Sequence, residues 1–84
     1  MTETHWGRPI IVETRKTGGR LAIANVEEAL VYMLHEWPTL EDGAAFNMAL
    51  GLLQKAAEGR LDAEDCRSAF VAALDEGNIA IFEN

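Results

Sequence analysis

The chain has 84 residues, a net charge of -7, and a composition that is 49% hydrophobic, 25% charged and 7% aromatic, with a single Cys. That make-up belongs to one globular domain, residues 1–84, and not to a disordered or low-complexity chain. One thiol excludes an internal disulfide framework. Apolar runs such as Ala29 to Leu34 reach six residues where a spanning helix needs about 20, and so short a chain has little interior for a deep catalytic pocket.

In chain order, residues 1–7 read as a loose lead-in that Trp6 can anchor. Pro9 to Glu13 is short and β-branched and predicts a strand, with Pro9 able only to start it because it lacks a ladder N–H. Thr14 to Gly19 predicts a polar turn, and Arg20 to Ile23 the returning strand of a β-hairpin. Asn25 with Glu28 three residues on is a capping-box pattern at the start of the first helix. Val26, Ala29, Leu30, Met33, Leu34 and Trp37 follow at helical spacing, and Pro38 ends the helix. A connection over Thr39 to Gly43 supplies Asp42, with Thr39 as the alternative, as the cap of a second helix, whose stripe is Phe46, Ala49, Leu50, Leu53, Ala56 and Ala57. Gly59 fits the left-handed position past its end. Asp62 caps a third helix, with acids in the first turn suiting the helix dipole and Leu61 facing Cys66 as a hydrophobic staple. Its stripe is Cys66, Ala69, Phe70, Ala73 and Leu74. Gly77-Asn78 stops it, and Ile79 to Phe82 predicts a last strand.

The order is therefore β-β-α-α-α-β. Two strands alone make no stable sheet, so the last strand joins the hairpin. The expected fold is α+β: a three-stranded antiparallel sheet in the order 2-1-3 with three helices packed on one face.

Charge is divided unevenly. Residues 1–23 carry four basic and two acidic groups, a net of +2; residues 24–84 carry three basic and twelve acidic groups, a net of -9. Most of this surface repels a polyanion, so direct nucleic-acid binding is not expected. The one basic spot, Arg15 to Arg20, reads as a solvated hairpin tip. Charged residues such as Glu3, Arg8, Glu13 and Arg15 interrupt any signal-peptide core. With the lone cysteine this predicts a cytoplasmic protein that does not engage a membrane.

The Pro-initiated strand Arg8-Pro9-Ile10-Ile11-Val12, Glu28-Ala29 in a helix ending Trp37-Pro38, Ala49, Gly59, the run Ala63-Glu64-Asp65-Cys66-Arg67-Ser68-Ala69-Phe70 and the closing apolar strand together form a pattern. It resembles the bacterial domain of unknown function family 982 over nearly the whole chain. Cys66 stands where Ala is expected before Arg67. The resemblance implies a small stand-alone α+β domain and brings no activity, cofactor or functional residue with it.

Side chains with possible chemistry are few. His35 lies opposite the first stripe at 100° per residue, near Glu28, Val31 and Tyr32, and an imidazole beside a carboxylate can exchange protons near neutral pH. Its ordinary reading is a solvent-facing histidine at a helix C-terminus. No Cys-x-x-Cys, His-x-x-x-His or Glu-x-x-His spacing points to a metal, and no cofactor motif is present; Gly18-Gly19 lacks phosphate-loop spacing. Cys66, although near a helix N-terminus, lies among acids on an apolar stripe and reads as buried. Arg67 either pairs with Glu64 one turn back or anchors a backbone carbonyl or a partner. Trp37 reads as a core anchor.

Val31, Tyr32, Met48 and Leu52 fall off the core stripes, and Gly51 beside them permits close backbone approach. With His35 they form a candidate interface, expected to serve a homodimer. The functional expectation is a small non-catalytic interaction or regulatory module with an unidentified protein partner. One alternative is an acidic protein that occupies a basic site on another protein or mimics nucleic acid. The other is a small-molecule binder or enzyme using His35 and nearby acids.

Overall fold

The computed structural model describes residues 5–14, 19–37 and 43–82. Its elements are β1 (His5–Glu13), β2 (Arg20–Asn25), α1 (Val26–Val31) running into a wide π-helical turn (Tyr32–Glu36), α2 (Ala44–Ala57), α3 (Ala63–Glu76) and β3 (Ile81–Phe82). The sheet is antiparallel with the order β2-β1-β3, as the sequence predicts. The turn over residues 15–18, Pro38, Thr39 and Asp42 lie outside the described residues.

Ile10 pairs with Ile23 and Val12 with Leu21, which puts Ile10, Val12 and Ile23 on one buried face under the helices. Thr14 N–H donates to the Gly19 carbonyl at 3.0 Å and closes the hairpin. β1 departs from expectation at its start. It begins at His5, so His5–Gly7 belong to the sheet and not to a loose lead-in. His5 pairs with Asn25, and the register then shifts before Ile10. Pro9 sits inside that irregularity. It does not start the strand; the broken ladder spares it the N–H it cannot supply. The same break turns Trp6 into the core, where its indole N–H donates to the Ala63 carbonyl at 2.9 Å.

Asn25 caps α1 as its pattern predicts: its Oδ1 accepts from Glu28 N–H at 2.8 Å. The Glu28 carboxylate reaches back to Ala24 N–H at 2.8 Å, one residue before the cap. Two rows of apolar residues leave Val26 along this helix, one through Ala29 and Met33, the other through Leu30 and Leu34. The first faces the core, so Leu34 is 56% exposed while Tyr32 is fully buried. Continued at 100° per residue, the helix would turn Glu36 into the core between Tyr32 and Met33. The wide turn takes up an extra residue, which leaves Glu36 exposed and sets Trp37 edge-on against Tyr32, 5.6 Å between ring centroids. Trp37 is extended at ψ 121°, as a residue before proline must be.

Helices α2 and α3 pack against each other, and both bury small residues. Ala49, Ala56, Ala63 and Ala73 are all buried, and side chains of that size let the backbones approach closely. Both helices end in the same way. The N–H of Arg60 donates to Lys55 and that of Gly59 to Ala56; the N–H of Ile79 donates to Leu74 and that of Asn78 to Asp75. These are Schellman closures, with Gly59 (φ 79°) and Asn78 (φ 59°) in the left-handed position. Asp62 occupies the N-cap position of α3 but makes no side-chain cap bond.

The start of α2 is capped from another helix. Gly43 holds the N-cap position and has no side chain to offer. The Glu76 carboxylate, at the end of α3, accepts from Ala45 N–H at 3.1 Å and Phe46 N–H at 3.2 Å. A Cβ at Gly43 would stand 2.6 Å from Glu76 Cδ, so the glycine makes room for the carboxylate. Glu76→Ala is expected to cost about 1 kcal/mol of stability, and Gly43→Ala a similar amount. The pair should cost little more than either alone, read as a double-mutant cycle in urea. Full additivity would show the two residues to be uncoupled.

Candidate functional site

The five residues of the predicted interface are dispersed. Val31 is 55% and Met48 65% exposed, and His35 is exposed on the wide turn. Leu52 is half-buried against the core. Tyr32 is no surface residue at all: its ring lies between Phe70 (6.2 Å) and Trp37 (5.6 Å), both edge-on, and its hydroxyl donates to the Glu13 carbonyl at 2.7 Å. The wheel places it off the stripe, but a phenol is long enough to reach in and gains an acceptor there, so burial wins.

Val31 and Tyr32 do share one surface feature. Between β2 and α1 runs a groove of about 320 Å³. Leu21, Ala22 and Val31 form its apolar walls, with Tyr32 beneath, and Glu27, Glu28 and Glu36 stand around it. Each part follows from local structure. The acids of the first turn face the positive end of α1, the capping bond fixes Glu28, and the wide turn brings Glu36 outward. Leu21 points to the core side of the sheet, yet at 40% exposure it lies beyond the cover of α1. His35, Met48 and Leu52 do not line this groove. The sequence names Val31 but misses Leu21, because a strand residue in an apolar alternation reads as covered. It misses the three glutamates because acids on a helix read as a solvated face.

The buried ionisable side chains of the described core are Tyr32 and Cys66. Burial, followed by the charges of Glu13 and Glu36, raises the Tyr32 phenol well above its ordinary pKa. Burial also raises the Cys66 thiol; the neighbouring Trp6 indole works the other way without reversing it, and Asp65 and Asp62 add to the rise. The thiol donates to the Ala63 carbonyl at 3.0 Å. Both groups therefore stay neutral and hold structure. Arg67 takes the carbonyl alternative and not the Glu64 pair: its Nε donates to the Arg8 carbonyl at 3.4 Å. Among the described residues no group of three or more His, Cys, Asp or Glu is placed to hold a metal ion. None of their helices is long and apolar enough to cross a membrane.

The family model described as Protein of unknown function (DUF982) matches residues 8–81. Comparison with curated proteins and with solved structures gives no match.

Because its folded pKa is raised, Tyr32 contributes stability that is intact below about pH 10, the pKa of an unfolded phenol, and is lost as the pH climbs from there. Tyr32→Phe should cost about 1 to 2 kcal/mol at neutral pH and flatten the alkaline decline, measured by urea unfolding at several pH values. An unaltered alkaline slope in the variant would place its cause elsewhere. The chain has one Tyr, so tyrosinate absorbance reads the titration directly.

Proposed function

For this chain, which belongs to the DUF982 family, we propose a non-catalytic interaction module whose groove between β2 and α1 receives a basic, amphipathic segment of a partner protein. The observation that carries this reading is the combination of exposed apolar walls, Leu21 and Val31, with three carboxylates around them. Apolar side chains of the partner fill the groove and its Lys or Arg side chains meet Glu27 and Glu36, which gives register and speeds encounter. This is the form in which an acidic protein occupies a basic site on another. Two features support a binding role over a catalytic one. The buried phenol and thiol are neutral and committed to backbone carbonyls, and His35 stands outside the groove. The buried free thiol of Cys66 fits a reducing, cytoplasmic compartment.

A second copy of the chain is the other occupant to consider. Met48, the most exposed of the large apolar side chains among the described residues, and Leu34 motivate it. The groove itself is poorly suited to self-pairing, because two acidic rims would face each other on chains of net charge -7. A homodimer would therefore form around Met48.

The test uses a fluorescein-labelled synthetic peptide with Leu at helical spacing and Lys elsewhere, and its Glu-for-Lys counterpart. The Lys peptide should bind with an affinity that falls as salt rises. Glu27→Lys with Glu36→Lys should weaken it about tenfold at low salt, and Val31→Ser should weaken it independently of salt. Equal binding of the two peptides, or of wild type and the double variant, would overturn the reading. Sedimentation across protein concentration decides self-association. A monomer throughout removes the homodimer, whereas a dimer abolished by Met48→Glu establishes it.

A further inference from the structure

The opposite edge of the sheet carries a second concavity with the reverse charge. We propose that the cleft between β1, α3 and β3 binds a small organic anion, a carboxylate carried on an apolar body. This proposal is independent of the groove between β2 and α1.

The cleft encloses about 470 Å³, within the range of small-molecule sites, roughly 300–1,000 Å³. Among the described residues its charged lining side chains are Arg8 and Arg67, and no acid of those residues lines it. The irregular segment of β1 delivers Arg8, and α3 delivers Arg67 across from it. The bond from Arg67 Nε to the Arg8 carbonyl ties the two together and leaves both terminal nitrogens of Arg67 uncommitted among the described residues. Within the same residues neither guanidinium is in an ion pair, whereas Arg60 lies 3.6 Å from the Glu58 carboxylate. Two like charges on one cleft repel, and an anion between them relieves that repulsion. A guanidinium fork matches the two oxygens of a carboxylate.

The rest of the wall is apolar: Pro9, Ile10, Val71, Ile81 and Phe82. A bare inorganic anion would leave that wall unused, so the ligand carries a hydrocarbon or aromatic body.

The test is a ¹H–¹⁵N correlation titration of the full chain with sodium phenylacetate, phenylacetamide and inorganic phosphate. Phenylacetate should shift the Arg67 Nε–H signal and the backbone amides of Arg8, Ile10, Ile81 and Phe82, and saturate. The amide, which has the same body without the charge, should bind about tenfold more weakly or worse. Arg8→Gln and Arg67→Gln should each lower phenylacetate affinity by about the same factor. Arg8 is exposed, so its variant keeps the folded spectrum even if loss of the Arg67 bond disturbs the strand. Equal binding of acid and amide, shifts confined to other residues, or an Arg8→Gln variant that binds as wild type would overturn the proposal. So would phosphate that binds the same residues as tightly as phenylacetate.

Discussion

One phenol joins the three parts of this molecule. The Tyr32 hydroxyl bonds to the Glu13 carbonyl at the end of β1, and its ring stands between Phe70 of α3 and Trp37 after the wide turn. The contacts continue outward: Trp6 lies 5.6 Å from Phe70, and Trp37 lies 4.9 Å from Phe46 of α2. A continuous row of five rings thus runs from the start of the sheet to the second helix. An 84-residue chain has little aliphatic core to spare, and rings that bury large areas in tilted and edge-on contact supply much of what it needs. The departure from regular helix at Tyr32–Glu36 is the local cost of seating that row, since regular winding would direct a carboxylate into it.

The remaining order is supplied by backbone groups that find side-chain partners from remote parts of the chain. Glu76 caps α2 from the end of α3. Glu13 receives Ala80 N–H at 2.8 Å and so helps to hold β3 on β1. Trp6 ties the start of β1 to the first turn of α3. Each of these bonds satisfies a group that its own element leaves open. Together they fix the relative placement of elements too short to be stable alone.

The placement also sorts charge. The acids of α1 and its wide turn collect at the β2 edge, around apolar side chains that the helix does not reach. Arg8 of β1 and Arg67 of α3 line the cleft at the β3 edge, beside Phe82. Net charge alone describes a uniformly acidic protein; the fold makes it a two-sided one, with a concavity of each sign. Both proposals above arise from this separation, and they assign the two edges to ligands of opposite charge.

The sequence by itself determined the elements, their order and the sheet topology. Those rest on local rules: the Asn25–Glu28 capping pattern, left-handed closure at Gly59, β-branched runs for β1, and the need of a hairpin for a third strand. It also determined that Cys66 is buried, because an apolar stripe surrounded by acids leaves a thiol no better place. Only the tertiary structure decided which row of α1 faces inward, that Tyr32 is core and Leu34 surface, that Pro9 sits in an irregular stretch of β1 where Arg67 bonds to the Arg8 carbonyl, and that Leu21 remains open. The physical reason is common to all four. Periodicity says which residues are apolar on a rod or ribbon, but burial depends on what the neighbouring element covers, and that is set by contacts such as Tyr32 to Glu13 and Trp6 to Ala63, which join residues 19 and 57 positions apart.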